Sequence, residues 1–369
     1  VREWLRKEKT LDRLAPFIAI FFGLLVGMLL VVITGNSPFE AFEALLRGGI
    51  GLKNGSIDSL EKIGNMLIKA TPLMLTGLAV AFSFKTGIFN IGVSGQMYIG
   101  GLCAILVGTQ LDLPRVIHLP AVVLAGIIGG AAWAFIPAVL KAKYKINEVV
   151  TTIMMNYIAI EVVNYMVYNK ITHIDYATES VRVADGSSAT LRVEWLKNMF
   201  DGANVHIGIF IALTVAVFYW FVLNKTTFGY ELKAVGLNKD ASEYAGIKVN
   251  SRILQALMIS GAIAGLAGVT FYLGNTDHIA AGKLPTMGFD GIVIALLGLN
   301  SAIGVVLSTI FLAILKTGSI AVNASVQGIP NELVSTMISI IIYFSATTLL
   351  FKNLVKKALT KKKKKSGGA

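Results

Sequence analysis

The chain has 369 residues, 55% of them hydrophobic and only 15% charged, with a mean hydropathy of +0.70. A soluble globular domain carries about 25% charged residues and no sustained apolar runs, so the arithmetic excludes a water-soluble enzyme or binding module and leaves a chain that crosses the membrane many times. The formal charge of +12 would suggest a nucleic-acid partner if it lay on a soluble face, but its distribution assigns it to membrane orientation.

Runs of about 20 apolar residues can cross about 30 Å of hydrocarbon. Such runs are predicted over 15–34, 63–84, 88–108, 119–140, 148–168, 207–223, 253–274, 284–299, 303–319 and 331–351. The first has no small-x-small cleavage pattern and reads as a retained helix. The expected fold is therefore an all-α polytopic membrane protein of about ten transmembrane helices. The run 284–299 is the weakest, interrupted by Pro285, Gly288 and Gly291, and is expected as a short or broken crossing.

Positive residues collect in cytoplasmic segments. Arg2, Arg6, Lys7, Lys9 and Arg13 precede the first span; Lys85, then Lys141, Lys143 and Lys145, then Lys225 to Arg252, follow the second, fourth and sixth; Lys352 to Lys365 follow the tenth. Both termini are thus expected in the cytoplasm. The expected divisions are a cytoplasmic segment 1–14, a transmembrane domain 15–351 with an extracellular loop at 169–206 and a cytoplasmic loop at 224–252, and a basic tail 352–369 held against an anionic inner leaflet. The final SGGA carries no assigned role. The loop 169–206 holds an amphipathic stretch, VEWLKNMF, suited either to an external partner or to a solvated cover.

No GxxxxGK[ST] phosphate loop, HExxH, CxxC or GxSxG occurs, and His118, His173, His206 and His278 fall at or beyond predicted span ends. The chain is not expected to be an enzyme, and neither metal nor cofactor is expected in it. Its one cysteine, Cys103, lies in an apolar run and reads as a buried small residue. An ion-coupled carrier places titratable groups deep in the bilayer; here Glu161 and Lys316 are read near span ends, and Asp290 follows a break. Neutral amides populate the spans instead: Asn90, Gln96, Asn147, Asn156, Asn164 and Asn300. Each serves either helix packing or an uncharged, hydroxyl-rich solute.

The run GIFNIGVSGQMYIGG (Gly87 to Gly101) and the run GFDGIVIALLG (Gly288 to Gly298) are too rich in glycine for plain helices. Two broken apolar segments in different halves of a transporter point to its translocation path. Gly87, Gly92, Gly95, Gly288 and Gly291 mark the breaks, and Asn90, Gln96, Asn156 and Asp290 are the expected lining.

These residues resemble a family. FNIGVSGQ, INEVVTTIMMNYIA (Ile146 to Ala159), TTFGYELKAVGLNKDASEYAGI (Thr226 to Ile247), GFDGIVIALLG and QGIPNELV (Gln327 to Val334) look like the permease subunits of ABC importers for simple sugars and nucleosides, in order and spacing over roughly residues 60 to 350. The similarity is greatest to the nucleoside branch, the ribonucleoside or guanosine uptake permeases of Gram-positive bacteria. Relatives often carry Glu before the Gly-Gln of the first motif; Ser94 stands there, so no acid transfers to that position. The resemblance implies a multi-pass subunit of the bacterial plasma membrane that translocates nucleosides into the cell, paired with a homologous second permease in a heterodimer. It implies a cytoplasmic ABC ATPase that holds the ATP and Mg, and an extracellular lipid-anchored substrate-binding protein. It also gives the loop 224–252 a meaning, because such permeases carry a short coupling helix with a Glu-Ala-Ala pattern. Asp240, Ala241, Ser242 and Gly246 are similar to it, with small Ala245 beside them, Leu237 and Tyr244 placed to insert into the ATPase, a polar start at Asn238 or Asp240 and a stop at Gly246. A permease for ribose or galactose, an ion-coupled secondary transporter acting alone and a scaffold without transport are the competing readings.

Overall fold

A computed structural model describes residues 8–325, except 34, 54–55, 58, 170–177 and 184–186, together with a few positions between 335 and 353. The chain divides into two compact units, one made of 1–58 with 314–369 and the other of 59–313.

In the first unit, α1 (Glu8–Ile33) and α2 (Pro38–Ile50) meet at a bend of 120°. The start of α2 is written in the sequence. Ser37 caps it by accepting from the Glu40 amide at 3.4 Å, Pro38 takes the first helical position and Gly51 ends it at φ +69°. A two-residue ribbon follows, β1 (Leu52–Lys53) antiparallel to β2 (Ser56–Ile57). Within the same unit Leu45, Gly48 and Gly49 press on Ile314, Gly318 and Ala321.

The second unit contains α3 (Leu60–Lys85), α4 (Val93–Gln110), α5 (Arg115–Tyr144), α6 (Glu148–Asn169), a short α7 (Glu194–Met199), α8 (Gly208–Lys225), α9 (Thr227–Leu237), α10 (Lys239–Tyr244), α11 (Val249–Thr270, prolonged by a π turn Phe271–Thr276), α12 (Met287–Leu297) and the start of α13 (Ala302–Ser325). Its centre is α11, packed on α5, α4 and α3. Gly261 and Gly265 on α11 face Gly126 and Gly130 on α5, each pair four residues apart. A Cβ on Gly265 would lie 2.1 Å from the Gly126 carbonyl oxygen, and one on Gly130 would lie 2.2 Å from that of Gly261. With apolar lipid outside, helices gain little from hiding apolar side chains and associate by such backbone approach. Gly100 of α4 reaches the same place, within close range of both Gly126 and Gly265. The GxxxG spacings were legible in the sequence, yet the hydropathy reading passed over them.

Among the described residues six helices are long and apolar enough to cross a membrane: α3, α5, α6, α8, α11 with its π turn, and α13 as far as Val322; the bent pair of α1 and α2 counts as a seventh only if the two form one broken span rather than a re-entrant loop. They meet the predicted runs 63–84, 119–140, 148–168, 207–223, 253–274, 303–319 and 15–34. Two other expectations shift. The run 88–108 becomes a helix only from Val93, and α4 is enclosed by other helices, which lowers the hydropathy it needs. The run 284–299 contains an 11-residue helix, about 16 Å long at 1.5 Å per residue and too short to cross hydrocarbon alone. Leu299 and Asn300, both at left-handed φ, turn the chain just after it. Most of the run 331–351 and the basic tail lie outside the described residues.

Gly265→Ala tests the glycine seam. Overpacking costs about 1–3 kcal/mol, and a lowered melting temperature of the detergent-solubilised protein is the expected outcome; an unchanged melt would show that the seam relaxes freely.

Candidate functional site

Between α3 and α4 the chain runs through 86–92 without helix, so the expected break over Gly87 to Gly101 is confined to its first part. Gly87 turns the backbone at φ +71°, Ile88 donates back to the Ser83 carbonyl at 3.1 Å, and Phe84 and Phe89 stack at 5.0 Å. Asn90 is fully buried. Its Nδ2 donates to Gln96 Oε1 at 3.0 Å and to Ser260 Oγ at 2.9 Å; its Oδ1 accepts from the Gly92 amide at 3.0 Å and from Gln96 Nε2 at 3.2 Å. Two donors and two acceptors exhaust what an amide side chain offers. Ser260 Oγ passes the chain on by donating to the Ala79 carbonyl at 2.7 Å. From α6, Asn156 Oδ1 accepts from the Gly95 amide at 2.8 Å while its Nδ2 donates to the Ile91 carbonyl at 3.0 Å. Since Ser260 lies midway along α11, the segment 86–92 descends from the end of α3 into the bundle and α4 starts inside it.

The structure thus brings Asn90, Gln96 and Asn156 together as one buried network whose hydrogen bonds close within the protein. Gly92 and Gly95 leave room for it, since a Cβ on Gly95 would sit 2.8 Å from Asn156 Oδ1. The second glycine motif packs on the first: Gly288 of α12 lies against Ser94, and Gly291 against Thr76 of α3. Ser94 Oγ, fully buried there, has no hydrogen-bond partner among the described residues. Asp290 is half-buried in the first turn of α12, where a carboxylate complements the helix N-terminus. Ser260 was not singled out in the sequence, and a lone serine on an apolar helix gives no signal of the partner 170 residues away.

The segment 224–252 folds as α9 and α10 joined at Asn238. Asn238 Oδ1 accepts from the Ala241 amide at 3.0 Å, Ser242 Oγ donates to the Asn238 carbonyl at 2.8 Å, and Gly246 at φ +83° follows the last turn. Leu237 and Tyr244 are 89% and 95% exposed; Asp240, Ala241 and Ala245 stand at or near the surface, whereas Ser242 turns inward. Beside α10 a groove of about 770 Å³ is lined by Lys141, Lys145, Lys239 and Lys248 with Asp240 and Glu243. The exposed turn touches the break directly: a Cβ on Gly236 would lie 2.3 Å from the Lys85 carbonyl oxygen and 3.0 Å from the Gly87 nitrogen. Arg252, on α11, pairs with Glu231 of α9 and stacks over Phe228.

The described part of 169–206 is stitched to the far end of α11. The Leu191 amide donates to the Leu273 carbonyl at 3.1 Å; Arg192 Nε donates to the Gly274 carbonyl at 3.0 Å and its Nη2 to that of Asn275 at 2.7 Å. The VEWLKNMF stretch forms α7, with Leu196 buried and Trp195 and Met199 exposed. His206 is buried beneath this lattice. Its Nδ1 accepts from the Gly208 amide at 3.2 Å, and burial, with the Arg192 charge adding to it, pushes its pKa down to about 4.

The family described as "Branched-chain amino acid transport system / permease component" matches residues 62–346. The guanosine ABC transporter permease protein NupP of Bacillus subtilis is 42% identical over 350 residues, covering 94% of this chain and 97% of the relative. The nucleoside ABC transporter permease protein NupB of Lactococcus lactis is 35% identical over 356 residues, 95% of each chain. The glucose ABC transporter permease protein TsgB13 of Haloferax volcanii is 33% identical over 340 residues, 86% of this chain and 88% of the relative. No solved structure matches.

His206 gives a pH prediction. A histidine held near 4 when folded and near 6.5 when unfolded contributes fully above pH 6.5, and that contribution is lost as pH falls toward 4. The loss approaches about 3 kcal/mol, because each tenfold difference in proton affinity between the folded and unfolded chain is worth about 1.4 kcal/mol. Melting temperatures measured from pH 7 to pH 4 should fall more steeply for the natural protein than for His206→Asn, which keeps an acceptor for Gly208; parallel curves would remove His206 as the cause.

Proposed function

We propose a function that starts from one premise: this chain belongs to the branched-chain amino acid transport system / permease component family. Its role is that of the membrane-spanning permease subunit of an ABC importer that moves nucleosides into the cell. The observation that carries the substrate is the identity of 42%, over nearly the whole length of both chains, to a guanosine permease, supported by 35% to a nucleoside permease. ATP and Mg belong to a separate cytoplasmic ATPase. The second half of the pathway comes from a homologous permease, and an external lipid-anchored protein delivers the solute to the segment 169–206.

The geometry supports a division of labour. Exposed Leu237 and Tyr244 flank α10 as two apolar anchors for the ATPase, Ala241 and Ala245 allow close approach, and the basic groove beside α10 favours an acidic partner surface. Movement imposed there reaches 86–92 through the backbone contact of Gly236 with Lys85 and Gly87. The amides Asn90, Gln96 and Asn156 hold this segment in one arrangement, and α12 leans on it through Gly288 and Ser94. Ten crossings with both termini in the cytoplasm remain the topology that the basic segments support. The glucose permease at 33% identity favours a sugar as the second reading.

Uptake of labelled guanosine, uridine, adenosine and ribose in cells with and without this chain decides between the two. Loss of nucleoside uptake alone is expected; loss of ribose uptake alone would move the assignment to sugars. Ala245→Trp should leave the chain in the membrane but prevent copurification of the ATPase, with uptake reduced at least tenfold, whereas full uptake with the ATPase retained would remove α10 from the mechanism.

A further inference from the structure

α6 has 22 residues and is about 33 Å long at 1.5 Å per residue, so its midpoint falls between Ile158 and Ala159. Glu161, read in the sequence as lying near a span end, is about 4 Å from that midpoint, and Tyr157 is about 2 Å from it on the other side. The face that carries Thr152, Asn156, Ala159 and Val163 is buried against the bundle. The opposite face exposes Tyr157, Glu161, Tyr165 and Tyr168, spaced by four, four and three residues and so confined to one stripe at about 100° per residue. Toward the start of the helix the same face turns apolar, with Val150, Ile153 and Met154 exposed.

Acyl chains do not explain this face. A carboxylate near the middle of a membrane helix is costly against lipid and by default marks a polar pathway or a partner, and a phenol hydroxyl at that depth needs a hydrogen-bond partner too. Tyr168, next to the helix end, fits an interfacial aromatic belt; Tyr157 and Glu161, near mid-helix, do not. The edge of the stripe is fixed in place by Asn164, whose Oδ1 accepts from the Gly282 amide at 2.6 Å.

We infer that the outward half of this face, centred on Tyr157, Glu161 and Tyr165, is where the permease touches its solute, and that it takes a planar heterocycle presenting two adjacent N–H donors, the pattern of a guanine-type nucleobase. Aromatic rings one turn to either side of a carboxylate offer stacking surfaces, and the carboxylate offers two acceptor oxygens and no donor. Val150, Ile153 and Met154 continue the face as the apolar constriction beyond the contact. This assignment rests on the nucleoside reading above and adds the residues and the base chemistry to it.

The test uses cells that carry the whole transporter. In a Cys103→Ser background, Tyr157→Cys and Glu161→Cys are treated with a membrane-impermeant thiol reagent, with and without guanosine, and Glu161→Gln is assayed for uptake at equal membrane level. Both cysteines should react and guanosine should slow the reaction at least fivefold; Glu161→Gln should lower guanosine uptake at least tenfold and uridine uptake less than threefold. Cysteines that stay unreactive with and without guanosine, in a transporter whose natural form imports nucleosides, would place the face against lipid or the second permease and overturn the inference. So would reactivity that guanosine leaves unchanged, or a Glu161→Gln variant with undiminished guanosine uptake. A natural transporter that imports no nucleoside at all is the separate result by which the functional reading fails.

Discussion

Non-helical backbone persists inside a bundle of apolar helices only where its amides and carbonyls find partners, because there is no water there to supply them. The segment 86–92 meets that condition first with backbone bonds, Thr86, Gly87 and Ile88 donating to the carbonyls of Ser83 and Phe84, and then with side chains. Asn90 takes the Gly92 amide, Asn156 takes the Gly95 amide and the Ile91 carbonyl, and Gln96 and Ser260 complete the inventory of Asn90. Residues from three helices therefore share one set of bonds, and α4 can begin in mid-bundle because that set exists. Removal of one member leaves several buried polar groups unpaired at once, at about 1–3 kcal/mol each.

Glycine gives the network its surroundings. The seam of Gly126, Gly130, Gly261 and Gly265 brings α5 and α11 to backbone distance, which holds Ser260 where Asn90 can reach it. Gly288 and Gly291 bring α12 down on the start of α4 and on α3, and Gly236 brings α9 against the turn at Gly87. The exposed α9–α10 turn and the buried break are thereby neighbours through main chain, with no long side chain between them to absorb a displacement. A displacement at Leu237 has a short, stiff route to Asn90, which is what the coupling proposed above requires.

Much of this was legible in the sequence, and what was not has physical reasons. Long apolar helices declare themselves by hydropathy even when, like α3 and α11, they are mostly buried in the bundle, so α3, α5, α6, α8, α11 and α13 stood out. Local capping was equally readable: Asn238 and Gly246 bound α10 as the side-chain chemistry requires, and Ser37 with Glu40 marked α2, although no span was sought there. Hydropathy failed at helix ends, where backbone turns rather than apolar content decide. It extended α4 back through a buried apolar stretch that is not helical, and it stretched α12 at both ends, from 284 to Leu299, the first of the left-handed pair Leu299 and Asn300. Asn90, Gln96 and Asn156 were identifiable as special, but composition could not tell whether their amides face a solute or each other. Ser260 and Gly236 became meaningful only through contacts distant in sequence, and the depth of Glu161 only once the ends of α6 were set.

Hydrogen exchange at individual amides in the detergent-solubilised protein tests the network most directly. The first amides of a helix ordinarily lack intrahelical partners and exchange early. If Asn90 and Asn156 hold the break as described, Gly92 and Gly95 exchange as slowly as the interior of α4, and Asn156→Ala speeds exchange at Gly95 far more than at the middle of α11. Exchange at Gly92 and Gly95 as fast as in an exposed loop of the natural protein would contradict the account.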